Sequence, residues 1–376
     1  MVIRDVLYGD INIDDEVIEM LIRTKEMQRL RGIKQLGLTY MIFPGAEHSR
    51  YTHSIGVYYL ATQIVEVLEK KSGMKFDEQE KKGLFAACLL HDLGHGPYSH
   101  ASEYFFAYDH EQMTVEIIMN KYTQIHNILS EQRYYQDVID FIKKEHSNKL
   151  LNSILSSSID ADRMDYLVRD SYYCGVSYGK FDLQRLLKII DIADDKIVFL
   201  EKGIHTIEDF LLSRYHMFNQ VYLNDKSSGY ELLVSEILKR ISELNDENYK
   251  FKTDLAVLLN FYDTDEIDVR DFVELDDMRL YHIIAELRNN ESDPKLFALC
   301  SALLDHELLG IDNPEECKYT WKMSKYTKKV YDGREPVYIK MKNGELKKLE
   351  DVSQLVEMFK KTLKISVPAT TYGIRK

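Results

Sequence analysis

The chain has 376 residues, 45% hydrophobic and 30% charged, an ordinary globular composition with about two to three domains' worth of sequence. A net charge of −13 disfavours a general nucleic-acid or membrane-surface binder, although a local pocket for phosphate needs only a few Arg and Lys. Four cysteines without a Cys-x-x-Cys pair suit reduced thiols in the cytoplasm, and charges from Arg4 onward argue against a signal region. No apolar stretch approaches the ~18 residues of a spanning helix. Six prolines and seventeen glycines favour helix, and some of the twenty-six Tyr are expected to stack on rings or line a polar pocket.

In chain order, Val2 to Ile11 reads as a short hairpin turning at Gly9-Asp10. Asp14 or Asp15 can cap a helix to about Thr24, and a second is expected from Glu26 to Gln35. Thr52 to Lys71 has a helical apolar period, followed by a helix from Glu78 to His91, a Gly/Pro turn and a helix from Ser99 to Phe106. His110–Lys121 and Tyr134–Lys144 also read as helix, and Ile159 to Leu167 is a strongly patterned helix start. Helices at Leu183–Ile192 and Ile207–Leu223 flank a hairpin at Lys196–His205, and another helix covers Ser227–Leu244. Asn245-Asp246-Glu247-Asn248 marks a boundary. Shorter helices follow at Thr253–Asn260, Asp276–Asn289 and Pro294–His306, then an Asn-Gly hairpin at Val337–Leu349, a helix at Asp351–Lys361 and an extended tail.

The apolar run Leu84 to Leu90 ends in His91-Asp92-Leu93-Gly94-His95-Gly96-Pro97-Tyr98-Ser99-His100. Three imidazoles and a carboxylate at the end of a buried face cost desolvation energy unless something pairs them, and a divalent cation does so. Arg50 to Gly56 places His53 one residue into a helix behind Arg50, and Asp160, Asp162, Asp165 and Asp170 lie on an Arg-bearing helix. Four ligands, His53, His91, Asp92 and Asp162, would leave positions open for water and a substrate oxygen, the mark of a catalytic metal site. Asp160 and Asp165 can equally cap and solvate their helix, and Arg214 can be a surface ion pair. His48, His126, His146, His205, His216, His282 and His306 have no motif around them and read as ordinary, and Tyr172-Tyr173 reads as core.

The stretches Arg29–Gly37, Phe43–Ala46, His48–Val57, His91–His100, His110–Gln112 and Ile159–Leu167 together resemble the HD-domain phosphohydrolases, and among them the deoxynucleoside triphosphate triphosphohydrolases, over roughly residues 1 to 240. The resemblance implies an all-α fold, with an HD helical core, small peripheral β-hairpins and a mixed α/β C-terminal region. It puts the metal ligands at His53, His91, Asp92 and Asp162, and the catalytic residues at His95, His100 and His110, with Glu103 as an orienting carboxylate. Phosphate contacts fall on Arg50, Arg163 and Arg214, whose guanidinium geometry suits phosphate oxygens. Sugar and base contacts fall on Gln35, Leu36, Tyr166, Asp170 and Tyr222.

A regulatory pocket matches Arg23, Gln28 and Arg31. Activator-regulated members carry an acidic residue at the Arg23 position, and Arg cannot accept the guanine N–H donors, so guanine activation of the familiar kind is not expected. The family's Tyr-x-His-Lys is also altered, to Tyr222-Leu223-Asn224-Asp225-Lys226. The expectation is hydrolysis of a dNTP to deoxynucleoside and triphosphate with a divalent ion (Mn, Fe, Mg, Ni and Zn are not distinguished). Residues 1–244 would form the catalytic domain and 245–376 a region packed on it and involved in oligomerisation. A nucleotide activator and a homo-oligomer are expected partners; membrane and nucleic acid are not. The alternatives are another nucleotide substrate, such as a monophosphate or a signalling nucleotide, or a nucleotide-sensing regulator with a vestigial site. Against the last stands the completeness of the ligand set.

Overall fold

The computed structural model describes residues 1–102, 108–260, 268–307, 309–310, 317–323, 326–328, 330–331, 333–361, 365–367 and 369–375. It is a helical fold with small sheets, as expected. Three helices form the centre: Arg50–Ser72 packs against both Glu78–Leu90 and Ala161–Tyr173. Each is delimited by local chemistry. Gly73 ends the first at φ +71, Asp77 caps the second by accepting from Gln79 N and Glu80 N, and Asp160 caps the third by accepting from Arg163 N. Gly56 lets the first and third helices approach closely, because a Cβ there would overlap Asp165 and Arg169. The three helices thereby bring His53, His91-Asp92 and Asp162 to one place.

Several boundaries differ from expectation. The first hairpin pairs Asp5 with Gly9, so its turn is Val6-Leu7-Tyr8; Asp5 Oδ1 accepts from Leu7 N and Tyr8 N, which closes the turn earlier than Gly9-Asp10. The second helix stops at Arg29, and Leu30–Gly32 is one 3₁₀ turn packed on Asp276. Helices at Gln124–Leu129 and Lys149–Leu155 are additional, capped by Thr123 and Asn148. The Leu183 helix ends at Ile189, and Ile190–Ala193 becomes a strand paired with Lys196–Leu200. The Ile204–Met217 helix continues into a π turn, Phe218–Tyr222. Of the expected Ser99–Phe106 helix, His100–Ser102 is helical and 103–107 lie outside the described residues.

Strand Tyr338–Lys340 of the Asn-Gly hairpin adds in parallel to Lys196–Leu200, giving a four-stranded sheet that joins distant parts of the chain. Cys317–Met323 pairs with the tail strand Thr370–Arg375. One apolar cluster runs from Ile11 to Tyr372 and includes residues on both sides of position 245. Among the described residues no helix is long and apolar enough to cross a membrane.

Candidate active site

His53, His91, Asp92 and Asp162 converge. His53 Nε2 lies 3.1 Å from Asp162 Oδ1 and 3.8 Å from Asp92 Oδ2. His91 Nε2 lies 3.4 Å from Asp92 Oδ1 and 3.7 Å from Asp162 Oδ1. Both rings are held from behind: His53 Nδ1 donates to Asp165 Oδ2 at 2.8 Å and His91 Nδ1 to Cys88 O at 3.0 Å. Each therefore presents the Nε2 lone pair inward, the usual arrangement for a metal-binding imidazole. His91 Nε2 is buried and makes no hydrogen bond. Two imidazole lone pairs and two carboxylates at these distances fit a borderline divalent ion.

The electrostatics point the same way. Burial disfavours charge on His53, but Asp162, Asp165 and Asp92 outweigh it and hold the imidazolium up to about 10. His91 is raised against the same burial by Asp92 and Asp162. Asp92 and Asp162 stay ionised well below the usual carboxylate range despite burial, through Arg50 and His91 for the first and His53 and His91 for the second. This pocket draws positive charge, which a cation can supply in place of protons.

Asp92 stands between two groups. Its Oδ2 also accepts from Arg50 Nη1 at 2.6 Å, and with His95 and His110 it forms a second set whose ligand atoms lie within 4.8 Å of one another. His95 stacks on His110 at 4.0 Å between centroids, and His100 stands edge-on to both at 5.2 and 6.1 Å. Burial, Arg50 and His110 push His95 down to about 3, so its ring is neutral. His100 is exposed, at the rim of the cluster. Glu103 lies outside the described residues.

The arginines differ in how far they are engaged. Arg50 is buried, donating to Asp92, to Ser99 Oγ at 2.8 Å and to Gln35 O at 3.4 Å. Arg163 pairs with its own helix cap, Asp160. Arg214 Nε is buried without a hydrogen bond, and the residue lies close enough to Tyr166 to oppose the burial that raises that phenol. A cleft lined by His91, Asp92, His110, Lys144, Asp162 and Arg163 opens beside the metal cluster.

Tyr222 donates to Asp170 Oδ2 at 2.7 Å and packs edge-on against Tyr166 at 6.0 Å. Gln35 is buried with Oε1 unpaired, and Leu36 is half-buried. His48, an ordinary histidine by sequence, bonds Asp170 Oδ1 at 2.8 Å and stacks on Tyr173 at 4.5 Å, so both join this cluster. Asp165, readable as a solvated helix residue, is fully buried and holds His53. Its own partners, Arg169, Tyr8 and, through Arg169, Asp5, carried no sequence signal. At the regulatory positions, Arg31 Nε donates to Gln28 Oε1 at 2.8 Å and its guanidinium covers the Tyr51 ring at 3.7 Å, whereas Arg23 pairs with Glu19 at 2.7 Å.

The chain is similar to known proteins over most of its length. The HD domain model matches residues 50–170 and the HD associated region model residues 181–298. The uncharacterized Bacillus subtilis protein YwfO is 38% identical over 393 residues, covering 95% of this chain and 88% of that protein. A deoxynucleoside triphosphate triphosphohydrolase SAMHD1 homolog of Dictyostelium discoideum is 34% identical, over 62% of this chain and 48% of its own, so the match spans about half of that relative. A solved phosphohydrolase from Bacteroides thetaiotaomicron superposes with a TM-score of 0.87 at 27% identity over 100% of both chains.

Proposed function

Because this chain belongs to the HD-domain hydrolase superfamily, we propose that it is a metal-dependent phosphohydrolase that converts deoxynucleoside triphosphates to deoxynucleoside and inorganic triphosphate. The observation that carries the reading is the inward-facing set His53, His91, Asp92 and Asp162, beside three clustered histidines and the unpaired Arg214 Nε. Those four residues would hold the ion, which supplies Lewis-acid polarisation of the α-phosphate and an acidified water.

The rest falls to the protein. Neutral His95, with His110 stacked on it, lines the reacting centre, and exposed His100 is the group best placed to protonate the leaving 5′-oxygen as the bond to phosphorus breaks. Arg163 and Arg214 hold the triphosphate tail, with Arg50 fixing Asp92 from behind. Tyr166 and Tyr222 enclose the deoxyribose, Asp170 with Gln35 holds its 3′-hydroxyl, and Leu36 completes the sugar and base contacts. Residues 1–244 carry the chemistry and 245–376 the subunit contact of a cytoplasmic homo-oligomer.

The deciding experiment is incubation with each dNTP and NTP under Mg²⁺, Mn²⁺ and Fe²⁺, with products separated by chromatography. Triphosphate and deoxynucleoside are expected. Orthophosphate as the phosphorus product, or turnover of monophosphates alone, would transfer the site to another nucleotide; no hydrolysis at all would favour a nucleotide-sensing protein.

A further inference from the structure

Asp277 reaches from the second half of the chain into the loop that carries the histidines. It begins the Asp277–Asn290 helix and is 3% exposed. Its two carboxylate oxygens each take one backbone N–H: Oδ1 from Tyr98 at 2.6 Å, Oδ2 from Lys34 at 2.9 Å. Nothing about helix formation requires this, because the neighbouring Asp276 already caps the helix by accepting from Arg279 N.

The Tyr98 amide belongs to an unusual turn. Tyr98 has φ +55 and Ser99 φ +56, two successive non-glycine residues in the left-handed region. A bulky residue pays steric strain there and stays only when its surroundings hold it. The turn immediately precedes His100. Ser99 is fastened by accepting from Arg50 Nε at 2.8 Å and donating to Lys34 O at 2.8 Å. Gly37 lies against the same turn, where a Cβ would sit 2.7 Å from Tyr98 O.

A second tie secures the loop's other end. Arg29, half-buried, donates from Nε to Leu275 O at 2.7 Å, from Nη1 to Leu93 O at 3.1 Å and from Nη2 to His95 O at 2.8 Å. The Leu275–Asp277 stretch therefore grips the 93–99 segment at both ends. It lies in the HD-associated region, outside the matched HD domain.

We propose that Asp277 is a positioning residue for the reaction: by accepting the Tyr98 and Lys34 amides together it holds the strained turn that aims His100, and locks that turn to the segment carrying Gln35 and Leu36. The associated region thus completes a site whose ligands and histidines all lie in the HD domain or beside it. The proposal rests on the hydrolase reading above. A carboxylate is required because two N–H donors must be satisfied by acceptor atoms alone; an asparagine would turn its own N–H₂ toward one of them.

The test is Asp277→Asn, with Asp276→Asn as the control that keeps a capping side chain on the same helix. In Asp277→Asn, kcat on the preferred dNTP should fall roughly ten- to hundredfold. KM and bound metal per chain should stay at wild-type values. Amide exchange of peptides covering 93–102 should accelerate while that of the Ile204–Met217 helix does not. Asp276→Asn should leave all of these unchanged. If Asp277→Asn does not fold, Asp277→Glu, which keeps both acceptors but displaces them by one methylene, should show the same losses in kcat and in 93–102 protection to a smaller degree, and wild-type values of both in it overturn the proposal. Unaltered kcat with unaltered 93–102 exchange overturns the proposal, as does metal loss with exchange rising throughout the chain. If the wild type hydrolyses no nucleotide, the functional reading fails, and the exchange comparison still decides whether Asp277 holds the turn.

Discussion

His53 Nδ1 lies 2.8 Å from Asp165 Oδ2, and this bond decides which imidazole nitrogen faces the metal cluster. Asp165 can only accept: burial opposes its charge, but Arg169 and His53 keep its carboxyl down to about 2. It is fixed in turn by Arg169 through Nε at 2.8 Å and Nη2 at 2.9 Å, and by the Tyr8 hydroxyl at 2.8 Å. Asp165→Asn should keep a ring acceptor but lose the charge that raises the basicity of His53. Metal affinity should drop about 10- to 100-fold, measured by competition with a chelator. Wild-type affinity would show that the bond is structural only.

Asp92→Ala removes the carboxylate shared by both ligand groups. Metal binding and hydrolysis should be lost together, because the remaining donors leave the ion under-coordinated. Arg50 would also be left buried without its carboxylate, so the fold should be checked by circular dichroism. Stoichiometric metal by elemental analysis together with full activity would remove Asp92 from the site.

His100→Ala should behave differently. The side chain is exposed, so the fold and the bound metal should be retained while turnover falls on the order of a hundredfold or more, as expected for a general acid. A loss of metal instead would make His100 a ligand, and the single-ion arrangement would be wrong.

Sugar choice is the next expectation. A 3′-hydroxyl must share Asp170 with His48 and Tyr222, both already within hydrogen-bond distance. The Tyr222 ring leaves a ribose 2′-hydroxyl desolvated and unpaired, so dNTPs should be cleaved faster than NTPs and 2′,3′-dideoxy analogues poorly. Tyr222→Ala should relax the ribose penalty, and Asp170→Ala should cost activity on dNTPs. Equal kcat/KM for ATP and dATP in the wild type would refute this.

A stability prediction lies away from the chemistry. Glu69, near the end of the His53 helix, accepts from Lys75 Nζ at 2.8 Å, Lys81 Nζ at 3.1 Å and Phe76 N at 3.1 Å. Burial works against its charge, but these donors hold the carboxyl down to about 2 from an ordinary 4.5. A depressed folded value contributes stability above the unfolded pKa and loses it as pH falls through the folded one. Glu69→Gln should therefore lower Tm by a few degrees at neutral pH, and the gap should close between pH 4.5 and about 2. A gap independent of pH would mean that packing, not charge, is what the substitution removes.

Much of the centre was legible because adjacent residues carry it. His91-Asp92 follows a buried apolar run, His53 opens a long periodic helix, and Asp162 lies in the first turn of a capped one; short motifs suffice to find such ligands. What was not legible depends on distance. Asp165 looks like any polar residue one turn from Asp162 until Gly56 brings the His53 helix against it. Asp277 and Tyr98 are 179 residues apart, and although Tyr98 sits inside the histidine motif, nothing around Asp277 in sequence marks it as that turn's partner. His48 has no periodicity around it, and its role exists only through Asp170. One boundary that moved, the first hairpin's turn, did so at the Asp5 side chain, which no apolar pattern encodes, and another, the end of the Leu183 helix, at a strand pairing with Lys196–Leu200.

The parallel pairing of Phe199 and Leu200 with Ile339 and Lys340 bears on how this protein can be dissected. A fragment ending at residue 244 would retain every motif by which its chemistry can be guessed. It would also present Lys196–Leu200 as an open edge, with the Phe199 and Leu200 backbone no longer paired, a template for pairing with other copies. Such a fragment should precipitate or self-associate on expression, and a failure to find activity in it would say nothing about the enzyme.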